Sequence, residues 1–142
     1  MSEVSIREFR FPADYPQAIR LWESMGQGIR VGASDREPEI KKKLGRDADL
    51  FLVAEEENGL VGTVIGGFDG RRGFVYHLAV APLFRRKGIG SLLMREVENR
   101  LRSKGCIRCY LLVRPDNLVA QHYYKEVGWT ALDDLVFGKD LS

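Results

Sequence analysis

A strand, a long amphipathic helix and a second strand follow one another between residues 73 and 113, and this order most constrains the fold. Residues 73–80 are rich in β-branched and aromatic side chains, and residues 89–104 carry one apolar stripe opposite a charged face. Residues 109–113 are a continuous apolar run, as expected of a strand covered on both faces. A helix that joins two strands of one sheet makes a right-handed crossover, so these two strands are predicted to run parallel.

Two further extended segments precede this unit. Residues 50–55 and 60–68 are rich in Val, Ile and Phe, and the pair Asn58-Gly59 between them is a strong hairpin signal. Asp69-Gly70 makes a similar turn before residues 73–80. The pattern predicts a three-stranded antiparallel meander that leads into the crossover, and therefore an α/β domain.

The rest of the chain supplies more helices and two outer strands. Asp14 is placed to cap a helix, and Ser34 and Glu37 have the spacing of a capping box at the start of another. The remaining predicted elements are a half-buried strand at 4–9, helices at 15–25, 34–45 and 117–126, and a closing strand at 135–141.

Size and charge exclude several classes of protein. The chain has 142 residues, about the size of one domain, and its 22 basic and 20 acidic residues nearly cancel. Lys41-Lys42-Lys43 lies among acidic residues and is better explained as a solvated helix face than as a nucleic-acid site. The start of the chain lacks a signal peptide, and no apolar run approaches the roughly 20 residues that cross a bilayer. A single-domain cytoplasmic protein without nucleic-acid or membrane partners is expected.

The turn before the long helix points to chemistry. It contains Arg85-Arg86-Lys87, followed by Gly88 and Gly90. The first N–H groups of a helix have no intrahelical partner and attract phosphate, and glycine lets the backbone approach an anion closely. Cations at this end oppose the helix dipole unless an anion is bound, so the pattern favours a diphosphate site over a turn that binds nothing. A dinucleotide motif is disfavoured because Leu93 stands where its third glycine belongs.

Two sequence blocks resemble those of the GNAT superfamily of N-acetyltransferases. Arg85-x-x-Gly88-x-Gly90 resembles the family signature R/Q-x-x-G-x-G/A. Residues 78–82, just before it, resemble the end of the family's fourth strand. Asn117-x-x-Ala120 and residues 123–129 resemble the later block N-x-x-A and F-Y-x-x-x-G-F. The resemblance implies direct transfer of acetyl from acetyl-CoA to an amine of a small molecule or of a protein or peptide. A non-catalytic module that binds or senses acetyl-CoA is the alternative.

The resemblance also implies a fold and a set of cofactor contacts. The fold is a mixed, mostly antiparallel sheet of about six to seven strands, with helices on both faces and the parallel crossover in its centre. Acetyl-CoA is the acetyl donor, and no metal is implied. A homodimer through an exposed strand edge is compatible with the sequence, which does not decide it. The residues implied to contact the cofactor are Leu78, Ala79, Val80, Arg85, Arg86, Lys87, Gly88, Ile89, Gly90, Ser91, Asn117 and Tyr124.

The family likeness assigns proton donation to the leaving thiolate to Tyr124. A tyrosine of ordinary pKa, about 10, stays protonated at neutral pH and can donate to a thiolate whose pKa is about 8.5. The resemblance also implies that the fourth and fifth strands splay apart after Val80 and near Arg114, and that a backbone N–H near Leu78 or Ala79 faces the thioester oxygen.

The general base is less obvious. Some family members place a glutamate on the fourth or fifth strand, but the equivalent positions here are Phe74 and Leu112, which cannot take a proton. His77 is the nearest titratable candidate, and histidine titrates near neutral pH. A lone histidine in a strand is also a common packing residue, so His77 and a water relay both stay open.

Cys106 and Cys109 form a C-x-x-C pair that follows a helix end and enters a strand. Reactive pairs of this type use a helix N-terminus to activate the thiol, and zinc sites need a second pair of ligands at a regular spacing. Neither redox chemistry nor a metal site is predicted.

Overall fold

The structure is a computed structural model that describes residues 3–142, apart from the side chain of Gln27. Its residues form two compact units, one ending at Leu112 and the other comprising Val113–Ser142. The strands are β1 (Ser5–Glu8), β2 (Phe51–Glu56), β3 (Gly59–Phe68), β4 (Gly73–Val80) and β5 (Cys109–Leu111), and the helices are α1 (Tyr15–Ser24), α2 (Glu37–Asp47), α3 (Ile89–Ser103) and α4 (Leu118–Glu126). None of the helices in this described part is long and apolar enough to span a membrane.

The first unit contains one mixed sheet in the order β1-β2-β3-β4-β5. The neighbours from β1 to β4 are antiparallel, and β4 and β5 are parallel across the helix α3. The predicted meander and parallel crossover are therefore confirmed. The crossover lies at one end of the five strands seen in residues 3–142, rather than in the centre of six or seven as expected.

The predicted closing strand at 135–141 is wrong. Residues 130–142 carry no helix or strand, and the apolar side chains of Leu135 and Phe137 are 82% and 89% exposed. A strand exists only when its backbone groups pair with a neighbour, and this segment pairs with none among the described residues. Its apolar composition predicts a strand, but composition alone does not supply a neighbouring strand to pair with.

The strand β5 is also shorter and more open than predicted. It spans three half-buried residues, and Leu112 beyond it is 60% exposed. The continuous apolar run predicts a strand buried on both faces, whereas the residues of β5 are only half-buried.

Helices pack on both faces of the sheet, as predicted. On one face, Trp22 of α1 and Ile40 of α2 share a buried core with Phe51 and Val53 of β2. On the other face α3 lies so close that a Cβ added at Gly66 of β3 would come within 2.7 Å of Val97 Cγ2. Gly66 is therefore needed because α3 packs so closely on β3, and not because the backbone turns there.

Two helix starts differ from the predicted caps. Asp14 precedes α1, but its carboxylate accepts hydrogen bonds from the Arg7 guanidinium and the Arg10 amide and makes no cap. The helix α2 begins at Glu37, after a 3-10 turn at Ala33–Asp35 that contains Ser34. At Asp14 a tertiary contact takes the group that a local cap would use, whereas Ser34 lies inside the 3-10 turn and not at the start of α2.

Candidate active site

The turn between β4 and α3 is shaped by two residues in the left-handed backbone region. Gly88 has φ of 80° and directly precedes α3, and Arg86 has φ of 63°. A Cβ at Gly88 would meet nothing within 4 Å, so glycine serves this backbone conformation and does not relieve crowding. Among the described residues, the amides of Ile89 and Gly90 have no acceptor, because the helix ladder begins with the Leu92 amide donating to the Gly88 carbonyl.

The three cations of this turn are all exposed. Arg85 Nε donates to the Val80 carbonyl at 3.0 Å, and this bond braces the turn against the end of β4. Lys87 Nζ lies 5.4 Å from the centre of the Phe84 ring. The helix start has no side-chain cap and no acidic residue in its first turn. Unpaired amides beside exposed cations match the chemistry of a diphosphate.

The strand β4 continues past the end of β5. The two strands pair only over Gly73–Val75 and Cys109–Leu111. Residues 76–80 thus extend beyond the parallel pairing, with β3 on their other side. The resemblance implies that the fourth and fifth strands part after Val80 and near Arg114, whereas their pairing already ends at Val75 and Leu111. Leu78, Ala79 and Val80 lie on the stretch of β4 that β5 does not pair with.

A β-bulge interrupts β4 in this stretch. Thr63 of β3 pairs with Ala79, and two residues further along β3 the partner is Tyr76. The strand β4 therefore uses three residues where β3 uses two, and His77 in the bulge has φ of 50°. The Thr63 hydroxyl donates to the His77 carbonyl at 2.8 Å and satisfies a group that the irregular ladder displaces.

The bulge places Tyr76 and His77 on the same face of the sheet, although consecutive strand residues normally alternate. Tyr76 is the cross-strand partner of Ile65, which belongs to the same core as Trp22 of α1. The His77 ring packs edge-on against Trp22, with 4.6 Å between ring centres. His77 therefore lies on the α1 and α2 face.

The His77 ring also contacts a carboxylate from the loop between α1 and α2. Its Nε2 lies 2.8 Å from Asp35 Oδ1, and only 19% of the histidine side chain is exposed. The other Asp35 oxygen accepts from the Gly32 amide at 3.0 Å, and the Asp35 carbonyl accepts from the Tyr15 hydroxyl at 2.8 Å. Burial alone would raise the pKa of Asp35, but the hydrogen bonds from His77 and Gly32 outweigh it, so that its pKa lies below the ordinary value.

A cavity of about 360 Å³ lies further along this face, between α2 and the start of β4. The rings of Phe74 and Tyr76 line it and are stacked with 5.8 Å between their centres. Arg46 and Arg72 also line it, and neither pairs with a carboxylate among residues 3–142. Two carboxylates line the cavity as well: Asp47 pairs with Lys43, and Asp69 accepts hydrogen bonds from backbone amides. The cavity thus combines a flat apolar wall with groups of both charges.

The second unit carries the other predicted catalytic side chain. Tyr124 on α4 has edge-on ring contacts with Tyr123 and Trp129, at 5.3 and 6.2 Å between ring centres. Burial, with a smaller contribution from Tyr123, raises the pKa of Tyr124 to about 12. Asn117 caps α4, because its side-chain oxygen accepts from the Ala120 amide at 3.1 Å. The side-chain oxygen of Asn117 therefore has a partner within the protein.

The other residues considered for chemistry are explained by local structure. Cys106 is buried and Cys109 half-buried, both are free, and burial chiefly raises the pKa of the Cys109 thiol. His122, the second histidine of the chain, is exposed on α4 and lies 2.9 Å from the Glu126 carboxylate. No group of three or more His, Cys, Asp or Glu side chains within the described residues is arranged to hold a metal ion.

Comparison with known proteins agrees with this architecture. Residues 16–129 match the acetyltransferase (GNAT) family. The chain belongs to this family. Acetyltransferase ECA0875 of Pectobacterium atrosepticum is 39% identical over 138 residues, which cover 97% of this chain and 96% of that protein. The predictions of an N-acetyltransferase and of its fold class are thereby confirmed.

Two solved structures are similar to this acetyltransferase over most of its length. Ard1 from Thermoplasma volcanium has a TM-score of 0.77 and 26% identity, covering 89% of this chain and 82% of its own. PaiA N-acetyltransferase from Thermoplasma acidophilum, solved in complex with coenzyme A, has a TM-score of 0.79 and 22% identity, covering 93% and 92%. Because PaiA is only 22% identical, its similarity shows a shared fold and nothing more.

Sequence reasoning missed Asp35 and the pair formed by Trp22 and Thr63. The Trp22 indole N–H donates to the Thr63 hydroxyl at 2.8 Å, and both residues are fully buried. Asp35 lies 42 positions before His77. No local pattern could have joined these residues, because each belongs to a different element.

Proposed function

We propose that this acetyltransferase binds acetyl-CoA with its diphosphate at residues 85–91 and transfers the acetyl group directly to an amine. The observation that carries the proposal is the start of α3, where Gly88 turns the backbone and the amides of Ile89 and Gly90 are left without acceptors beside exposed cations. Acetyl-CoA supplies a thioester as the acetyl donor. The protein holds the two reactants together, accepts a proton from the amine and donates one to the leaving thiolate.

The open edge of β4 is the proposed place for the rest of the donor. Residues 76–80 extend beyond the pairing with β5, so an extended ligand can add to this edge as a further strand would. A backbone N–H near Leu78 or Ala79 is the proposed donor to the thioester oxygen.

His77 is the proposed proton acceptor, in preference to a water relay. It lies on this same stretch of β4, and its ring is held by Asp35 and Trp22. Tyr124 is the proposed proton donor. Its assignment rests on the family motif and on its raised pKa, which keeps the phenol protonated throughout the neutral range.

The cavity beside Tyr76 guides the search for the acceptor. Two carboxylates line it, but Asp47 is paired with Lys43 and Asp69 accepts from backbone amides. Arg46 and Arg72, which also line it, have no carboxylate partner among the described residues. Amines that also carry a carboxylate or phosphate should therefore react better than neutral amines of the same size. The proposed setting is the cytoplasm, in keeping with two cysteines that are not joined to each other.

A CoA-release assay over a panel of amines tests the activity. The panel should hold amino acids, phosphorylated amines, peptide N-termini and matched neutral amines, with calorimetry of CoA binding run in parallel. CoA release with at least one amine, together with the acetylated amine by mass spectrometry, is the expected result. Binding of CoA without release for every amine would favour the non-catalytic module instead.

Removing charge from the turn should weaken cofactor binding. In the double variant Arg86→Gln and Lys87→Gln, we expect the Kd for CoA to rise about 10- to 100-fold, because two cations near a diphosphate are lost. The affinity of the variant should also depend less on salt concentration than that of the wild type. The matched control is Arg95→Gln, an exposed cation further along α3, which should leave Kd within about twofold. Equal affinities for all three proteins would show that the diphosphate binds elsewhere.

A further inference from the structure

Asp35 is held more rigidly than an ordinary loop residue. It is only 5% exposed, and three separate groups contact it: the His77 ring, the Gly32 amide and, through its carbonyl, the Tyr15 hydroxyl. The loop between α1 and α2 is therefore joined to the bulge of β4 at one defined point.

The ionisation of Asp35 fixes which ring nitrogen of His77 carries hydrogen. Its hydrogen bonds hold the pKa of the carboxyl below the ordinary range, so Asp35 is a carboxylate at neutral pH and can only accept. The Nε2 of His77, which faces it at 2.8 Å, must then be a donor. A neutral imidazole has one N–H, so its Nδ1 holds the lone pair.

Trp22 contacts both the ring and the backbone environment of His77. Its ring packs edge-on against the imidazole, and its indole N–H donates to the Thr63 hydroxyl, which in turn donates to the backbone carbonyl of His77. Asp35 is the charged side chain that the described residues place in contact with the ring. Burial, together with the nearby charges of Glu37, Asp35 and Glu23, raises the pKa of the Tyr15 hydroxyl, which donates to the Asp35 carbonyl.

We propose that Asp35 is a positioning residue that keeps His77 in the Nε2–H tautomer and leaves Nδ1 to accept the proton of the amine. The assignment rests on the proposed function for the role of Nδ1, but the tautomer is a property of the resting protein. Asp35 also favours the imidazolium formed when Nδ1 takes up that proton, because the carboxylate lies in direct contact with the ring.

A purely structural role for Asp35 is the competing explanation. In that case the residue would only anchor the loop between α1 and α2, and any loss of the anchor would have the same effect. The Tyr15→Phe variant separates the two, because it removes the bond to the Asp35 carbonyl and leaves the carboxylate beside His77 intact.

The tautomer can be measured without any acceptor. The chain has two histidines, so long-range 1H–15N spectra of labelled protein contain two imidazoles, and the exposed His122 is assigned with a His122→Asn variant. Above neutral pH, His77 is expected to show the Nε2–H pattern in the wild type. An Nδ1–H pattern would overturn the proposal, whatever amines the enzyme accepts.

The role of the charge is measured with Asp35→Asn. Without the carboxylate, we expect His77 to lose its single Nε2–H pattern, because an amide offers Nε2 both a donor and an acceptor, and we expect kcat/KM to fall about 10-fold or more. Tyr15→Phe should leave the tautomer pattern unchanged and kcat/KM within about twofold of the wild type. Identical tautomer patterns in wild type and Asp35→Asn would overturn the proposal. A panel in which no amine releases CoA would count against the proposed function alone, because the spectra would still report the tautomer.

Discussion

Replacing Tyr124 with phenylalanine should lower kcat about 100-fold or more while the Kd for CoA stays unchanged. The substitution removes the phenol proton and keeps the ring that packs against Tyr123 and Trp129. Because the pKa of Tyr124 is raised to about 12, the wild-type rate should not decline on the alkaline side through loss of this proton below about pH 11. Steady-state CoA release from pH 6 to 10 and calorimetry with CoA provide the two measurements.

The matched control is Tyr123→Phe, one position earlier on the same helix. It removes a neighbouring phenol and leaves Tyr124 in place, so its kcat should stay within about threefold of the wild type. A Tyr124→Phe enzyme as fast as this control would exclude Tyr124 as the proton donor. If both variants were equally slow and lost cooperative thermal unfolding, the packing of the two rings and not the proton would be responsible.

Replacing His77 with asparagine should lower kcat/KM about 100-fold or more, because the proton acceptor is lost. Asparagine is chosen because it tolerates the left-handed backbone that His77 adopts, and because its side-chain amide can donate to Asp35 as the ring does. The contact between loop and strand is then retained, and only the proton acceptor is lost. The measurement is kcat/KM from pH 5 to 9 with the best amine of the panel.

His122→Asn is the control for this substitution, since His122 lies on the exposed side of α4. Its kcat/KM should match that of the wild type. If His77→Asn keeps the wild-type rate, a water relay accepts the proton, and His77 is a packing residue. Binding of CoA should be equal in all three proteins.

The periodic elements of the first unit were readable from the chain because their signals are local. Alternating β-branched residues and the pair Asn58-Gly59 predict the hairpin of β2 and β3, in which Gly59 has φ of 130°. The apolar stripe of α3 predicts its burial against the sheet, as the contact of Gly66 with Val97 shows. Elements that depend on a distant partner were predicted less well: the strand expected at 135–141 has none among the described residues, and β5 is short.

By itself the sequence determined the family, the cationic glycine turn and the order of strands and helices, since each depends on neighbours within a few residues along the chain. Only the tertiary structure decided the surroundings of His77. The bulge exists because β4 uses one more residue than β3 over the same length, and it turns His77 to the face where Trp22 and Asp35 lie. Such a contact joins residues from separate elements, and no periodicity along the chain encodes the distance between them.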